Sequence, residues 1–173
     1  MNFVPMKIDG AYLIELTEHK DERGVFRREF CRAEFAQHKI DFDIKQSNVS
    51  ENYKKGTLRG LHYQKAPYLE KKLVSCIKGR CYDVIVDLRE DSPTYLKWDS
   101  AELTESNAVY IPENCAHGFL TLEDNTILFY QLSEYFQPDY YSGIRWDDPK
   151  IGICWPDCAD LIMNERDRNY VLL

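Results

Sequence analysis

The sequence predicts a mainly β fold, and three observations carry that prediction. Short apolar runs rich in β-branched and aromatic residues recur through the middle of the chain. Turn signals separate them at the close spacing of sandwiches and barrels: Lys78-Gly79, Ser92-Pro93 and Glu123-Asp124-Asn125. Helical periodicity is confined to residues 32–39 and to the tail after Asp157.

In chain order, strands are expected at 72–77, 80–88, 108–111, 118–122 and 126–132. The second shows the clearest period of two. Tyr82, Val84, Val86 and Leu88 fall on one face, which should pack, while Asp83, Ile85 and Asp87 take the other, which should carry polar groups. No repeat, low-complexity tract or linker interrupts the chain, and 173 residues suit one domain spanning 1–173.

A formal charge of −7 argues against nonspecific binding to nucleic acid or anionic membrane, both of which need a basic surface. No run approaches the roughly 20 apolar residues of a membrane span, and the first ten residues do not read as an export signal, so a cytoplasmic location is expected. The six cysteines are then expected as reduced thiols filling structure. Cys154 and Cys158 have three residues between them rather than the two of a common zinc pair.

Arg59-Gly60-Leu61-His62-Tyr63-Gln64 sets a cation and an imidazole beside a glycine, and Ala116-His117-Gly118-Phe119 supplies a second histidine. Taken alone, each histidine is more often a packed, hydrogen-bonded residue than a catalyst. Together they raise a metal-binding cupin, which would want another imidazole two residues after His62. Gln64 stands there, and His19 and His38 fall in an expected loop and an expected short helix, so no metal and no cofactor is expected. Without a metal, an enolate must be stabilised by cations and hydrogen bonds, for which Arg59, Lys72, Tyr130 and Tyr135 are candidates. Spacing alone does not bring them together.

The ordered residues go further. Asp21-Glu22-Arg23-Gly24 with Phe26 and Glu29, then Gln46, Asn48 and Ser50, precede Gly56-Thr57-Leu58-Arg59-Gly60-Leu61-His62-Tyr63-Gln64 and Lys72-Leu73-Val74. Asp83-Val84, Val86-Asp87-Leu88-Arg89, Ser92-Pro93-Thr94, Ile111-Pro112 and Ala116-His117-Gly118-Phe119 follow. Tyr130, Trp146-Asp147-Asp148-Pro149, Ile153, Trp155-Pro156 and Asp167 complete the set. In this pattern the chain resembles the dTDP-4-dehydrorhamnose 3,5-epimerase family of metal-free cupins.

The resemblance implies a cupin-type jelly-roll β-barrel working as a homodimer, the segment around Arg23 and Phe26 of one subunit closing the site of the other. It implies a nucleotide-diphosphate sugar substrate, His62 as base, Asp167 as the carboxylate that orients it and makes it more basic, and Tyr130 as proton donor on the opposite sugar face. The C3 and C5 protons of a 4-keto sugar are acidic only through the ketone, so the base must work beside oxyanion donors, here Lys72 with His117. Arg59 and Arg23 would bind diphosphate bidentately; Gln46, Asn48, Phe26, Glu29 and Tyr135 would hold sugar or base.

Departures from the usual pattern cluster where substrate should lie. Gln131 replaces a lysine, Glu134-Tyr135-Phe136 stands where two tyrosines are common, Cys115 replaces a bulky aromatic and Asn164 a serine; Glu70 replaces a glutamine, and its negative charge would be unfavourable near a diphosphate unless it points away. The nucleotide and the number of centres inverted are therefore left open by the sequence. A single-centre epimerase, a 3,4-ketoisomerase on another nucleotide sugar and a noncatalytic sugar-binding barrel are the alternatives.

Overall fold

The computed structural model spans residues 1–173 and is built on two antiparallel sheets. The six-stranded sheet runs β1 (Asn2–Pro5), β2 (Tyr12–Glu15), β10 (Asn107–Ile111), β7 (Lys72–Lys78), β12 (Thr126–Leu132), β5 (Gln46–Asn52). The five-stranded sheet runs β13 (Tyr141–Gly143), β6 (Leu58–Gln64), β11 (Cys115–Thr121), β8 (Cys81–Asp87), β9 (Trp98–Leu103). A separate hairpin pairs β3 (Glu18–Asp21) with β4 (Gly24–Arg27), and the helices are the short α1 (Arg32–Gln37) and α2 (Glu165–Arg168). This is the cupin-type jelly roll that the sequence pattern implies.

The core between the sheets is shared by both. Val74, Cys76, Val109, Ile111 and Leu128 come from the six-stranded sheet, and Cys81, Ile85, Leu103, Cys115 and Phe119 from the five-stranded one. β8 departs from the expected one-sided pattern because both of its faces are covered. Val84 and Val86 pack with Leu61, Ala116, Ile144 and Ile151 under the segment that follows β13, while Cys81 and Ile85 face the inter-sheet core. The polar residues on that inner face are paired rather than solvated. Asp83 meets His117, and Asp87 accepts from Arg89, Ser92 and Thr94.

Other differences are local. β11 begins at Cys115 rather than 118, because Asn114 turns the chain at φ 54° immediately before it. α1 stops at Gln37, two residues short of expectation, since Lys39 sits at φ 60°. In the tail only α2 is helical. His19 lies on β3 rather than in a loop, and His38 caps the end of α1 with its ring stacked 4.1 Å from that of Phe3. All six thiols are free. No helix is long and apolar enough to cross a membrane.

Candidate active site

A cavity of about 360 Å³ opens between the sheets. β6 and β11 are neighbours, and their register sets His62 opposite His117. β7 and β12, facing them, contribute Lys72 and Tyr130; β5 contributes Gln46 and Asn48; α2 contributes Arg166 and Asp167.

Residues three apart on a regular strand point to opposite faces, yet Arg59 and His62 both line this cavity. A bulge solves the conflict: His117 pairs with His62 and Phe119 with Arg59, so two steps along β11 match three along β6. Gly60 makes the bulge possible. Its φ is +129°, and a Cβ there would lie 2.5 Å from the Gly118 Cα. The same residue turns its N–H to the Asp167 Oδ2 at 3.1 Å.

His62 Nε2 lies 2.8 Å from Asp167 Oδ1, with the imidazole 16% exposed and the carboxylate fully buried. Burial pushes the His62 pKa down and outweighs the hydrogen bond and charge of Asp167, which push it up; Lys72 and Arg166 add to the fall. The imidazole is therefore neutral at pH 7, where the sequence pattern had implied a more basic group. With Nε2–H donated to Asp167, Nδ1 carries the lone pair that can take a proton. Burial pushes Asp167 up, but the His62 hydrogen bond and charge, the Gly60 N–H and Arg166 together hold it below the ordinary carboxylate range. Asn164 caps α2 by accepting from Asp167 N at 2.7 Å, which fixes the backbone of that residue.

A second histidine–carboxylate pair stands across the strand. His117 Nε2 is 2.7 Å from Asp83 Oδ2; both side chains are buried, and Asp83 Oδ1 has no hydrogen-bond partner. Burial pushes the Asp83 pKa up, against His117 and the nearby charge of Lys72. Lys72 is buried rather than a solvated strand residue: Nζ donates to the His62 carbonyl at 3.1 Å and pairs with Glu70 Oε1 at 3.1 Å. An ammonium has three donors, so one is left for the cavity. Glu70 does not point away. It lines the cavity, and its charge is balanced by Lys72.

Tyr130 sets its ring edge-on to His117 at 6.0 Å between centroids. Burial first, then the charge of Asp83, pushes its phenol well above the ordinary value, so it is a neutral O–H donor at pH 7. Arg59 uses Nε on Asn52 at 2.8 Å, which orients a guanidinium free of any ion pair at the cavity wall. Gln64 is a structural peg where a metal cup would need a ligand. Its amide donates to the Tyr68 and Tyr135 carbonyls and accepts from Gln137 N. No group of three or more His, Cys, Asp or Glu side chains converges in a form that could hold a metal ion.

Eight of the twelve residues singled out from sequence line the cavity: His62, Asp167, Lys72, Tyr130, Gln46, Asn48, Arg59 and His117. Tyr135 lies outside its wall, 58% exposed, with Lys45 Nζ 5.6 Å from its ring centroid. Arg23, Phe26 and Glu29 lie on or beside the β3–β4 hairpin, away from the chain's own cavity. Arg23 pairs with Asp21, Phe26 is 72% exposed, and Glu29 pairs with Arg27 while keeping one buried oxygen unpartnered. Sequence reasoning missed Asp83, Tyr141 and Arg166. Tyr141 lies 5.2 Å from His62, with the Arg166 guanidinium 5.0 Å above its ring. Only Asp83 left a signal, as an acid on the inward face of an otherwise apolar strand.

The family profile described as dTDP-4-dehydrorhamnose 3,5-epimerase matches residues 5–173. The chain belongs to the dTDP-4-dehydrorhamnose 3,5-epimerase family. The family member from Methanothermobacter thermautotrophicus is 44% identical over 172 residues, covering 97% of this chain and 92% of that one. The crystal structure of the Bacillus anthracis epimerase with TDP and PPi bound is 35% identical, with a TM-score of 0.94 over 99% of each chain. The Legionella pneumophila enzyme in complex with dTDP-4-keto-L-rhamnose is 33% identical, with a TM-score of 0.94 over 99% of this chain and 92% of that one.

Proposed function

We propose that this epimerase converts dTDP-4-keto-6-deoxyglucose to dTDP-4-keto-rhamnose by inverting C3 and C5 through an enolate. The single observation that carries the reading is the convergence of the His62–Asp167 pair, Lys72 and Tyr130 on one cavity. His62 Nδ1 takes the proton from the carbon beside the ketone, and the C–H electron pair moves onto the C4 oxygen. The free N–H of Lys72 donates to that oxygen, with the His117–Asp83 pair beside it. Tyr130 then gives its proton to the same carbon from the other face, which inverts the centre.

Positioned acid–base groups contribute roughly 10²–10⁴-fold in rate, and one oxyanion donor about 3–4 kcal/mol. His62, Asp167, Lys72 and Tyr130 are thus the catalytic set of this proposal. Arg59 and Arg166 supply cationic groups at the cavity wall for the diphosphate, and Gln46 and Asn48 contact the sugar or base.

The enzyme works as a homodimer in which the β3–β4 hairpin of each subunit closes the other's site with Arg23, Phe26 and Glu29. The 72% exposure of Phe26 and the distance of all three from their own cavity support this arrangement. The chain acts as one catalytic unit over 1–173, in the cytoplasm, where six free thiols suit a reducing compartment. The test is to incubate the enzyme with dTDP-4-keto-6-deoxyglucose and read ring proton couplings in the product by NMR. The rhamno configuration at both centres is expected; recovery of unchanged gluco sugar would overturn the proposal, and inversion at one centre would restrict it to that carbon.

A further inference from the structure

Asp167 does not sit on a barrel strand. It rides on the single turn of α2, in the C-terminal segment that follows the last strand, β13. Before α2 the segment is fixed by backbone: Leu58 N donates to Ile162 O at 2.9 Å and Ile162 N to Gly56 O at 2.8 Å. After α2, Tyr170 lies on Gly143, where a Cβ would come within 2.3 Å of the ring, and the Tyr170 ring stands edge-on to His62 at 6.1 Å. The last hold belongs to the Trp146-Asp147-Asp148-Pro149 stretch. Asp148 is 1% exposed. Its Oδ1 accepts from Lys150 N at 2.8 Å within its own turn, whereas Oδ2 accepts from Leu173 N at 2.7 Å, across 25 residues. A buried carboxylate spent on a distant backbone N–H is a fastening, and what it fastens is the segment that carries the partner of the base.

We propose that Asp148 is a positioning residue for the reaction: by clasping the chain at Leu173 it holds α2 against β6, and so holds Asp167 on the imidazole of His62. This rests on the epimerase reading for its effect on turnover, but not for its effect on the imidazole. His62 is faced by Asp167 and Arg166 from α2, Tyr170 from the tail, Tyr141 from β13, Lys72 from β7 and His117 from β11. Of these, Asp167 is the acid that favours the imidazolium. A loosened α2 draws off Asp167, whose hydrogen bond and charge raise the His62 pKa, together with Arg166, whose smaller effect lowers it, so the His62 titration moves to lower pH.

Two substitutions break the clasp from opposite ends. Asp148→Asn keeps an oxygen for the Lys150 turn but offers an amide group to the Leu173 N–H; Leu173→Pro leaves Asp148 intact and removes the N–H itself. The experiment follows the imidazole resonances of wild type and both variants by NMR against pH, and steady-state kinetics on the 4-keto sugar nucleotide. Both variants should move His62 down by on the order of 0.5–1 pH unit, part of the effect an adjacent opposite charge can exert. They should lower kcat on the order of tenfold with KM within about twofold, less than the ~10²-fold that a 1 Å misplacement costs. The double variant should be no worse than either single one. An unmoved His62 titration in Leu173→Pro, which does not depend on Asp148→Asn folding, overturns the proposal, as does a fall in activity carried wholly by KM. Absence of turnover in wild type with a shifted His62 in the variants would sink the epimerase reading and leave the clasp standing.

Discussion

Replacing Asp167 with asparagine changes one atom and reverses the hydrogen-bond polarity of the base. The carboxylate accepts from His62 Nε2 at 2.8 Å and from Gly60 N at 3.1 Å. An asparagine keeps its oxygen on one of the two. If the oxygen stays with the Gly60 N–H, the NH₂ faces Nε2, and the imidazole must put its proton on Nδ1, the nitrogen that has to receive the substrate proton. If the oxygen stays with His62, Gly60 N–H faces an amide donor and a buried backbone group goes unsatisfied, at a cost of about 1–3 kcal/mol. Either arrangement removes the charge that stabilises the imidazolium during proton transfer. The same change of tautomer in a serine hydrolase triad costs about 10⁴ in kcat. Because His62 here is shielded by burial as well as supported by Asp167, a fall of about 10³–10⁴-fold in kcat is expected, with KM changed little. The assay is the rate of product formation by NMR under saturating sugar nucleotide, with circular dichroism confirming the fold. An Asp167→Asn enzyme within tenfold of wild type would refute the claim that this carboxylate governs the base.

Further predictions follow from the same geometry. Tyr130→Phe should still exchange substrate protons with solvent, because His62 and Lys72 are intact, but lose net inversion; equal loss of exchange and inversion would contradict the division of roles. Lys72→Met should lower kcat by the ~10²–10³-fold typical of one lost oxyanion donor, read in the same NMR assay, and would also leave Glu70 buried without its cation. Burial pushes Asp87 up, yet hydrogen bonds from Arg89, Ser92 and Thr94 bring it down to about 2 from 3.8. Its stabilisation is present above pH 3.8 and is lost as pH falls through about 2. Asp87→Asn should therefore cost about 2 kcal/mol in urea denaturation at pH 7, and much less than that near pH 2. The acid limb of kcat/KM should lie below the ordinary histidine value of about 6.5, since burial lowers His62.

The parts of the fold that were legible in the sequence are the strands buried between sheets. β7, β8, β10, β11 and β12 are dense in Val, Ile, Leu and Phe, and their turns are marked by Gly79 and Asn125, both at positive φ. β3, β4 and β5 left no such mark because they are exposed on most of their length, so no apolar period is needed there. The site divides in the same way. His62 and His117 were visible as residue types beside glycines, but their being register partners depends on a bulge that no spacing rule announces. Asp167 could be reached only through the family pattern: more than 100 residues separate it from His62, and the segment that brings it back is held by Asp148 and Gly143, neither of which resembles a catalytic residue. Glu70 shows the reverse case. Its sequence suggested a charge conflict, and the structure resolves it through Lys72 two residues away on the same side of the cavity.

The most direct test of the central claim is isotope incorporation by the wild-type enzyme in D₂O with dTDP-4-keto-6-deoxyglucose, followed by NMR and mass spectrometry. Enolate chemistry at both carbons beside the ketone predicts one deuterium at C3 and one at C5 of the inverted product, and none at either carbon with His62→Ala. A product, or recovered sugar, that carries no deuterium at C3 or C5 after incubation with the wild-type enzyme would contradict it.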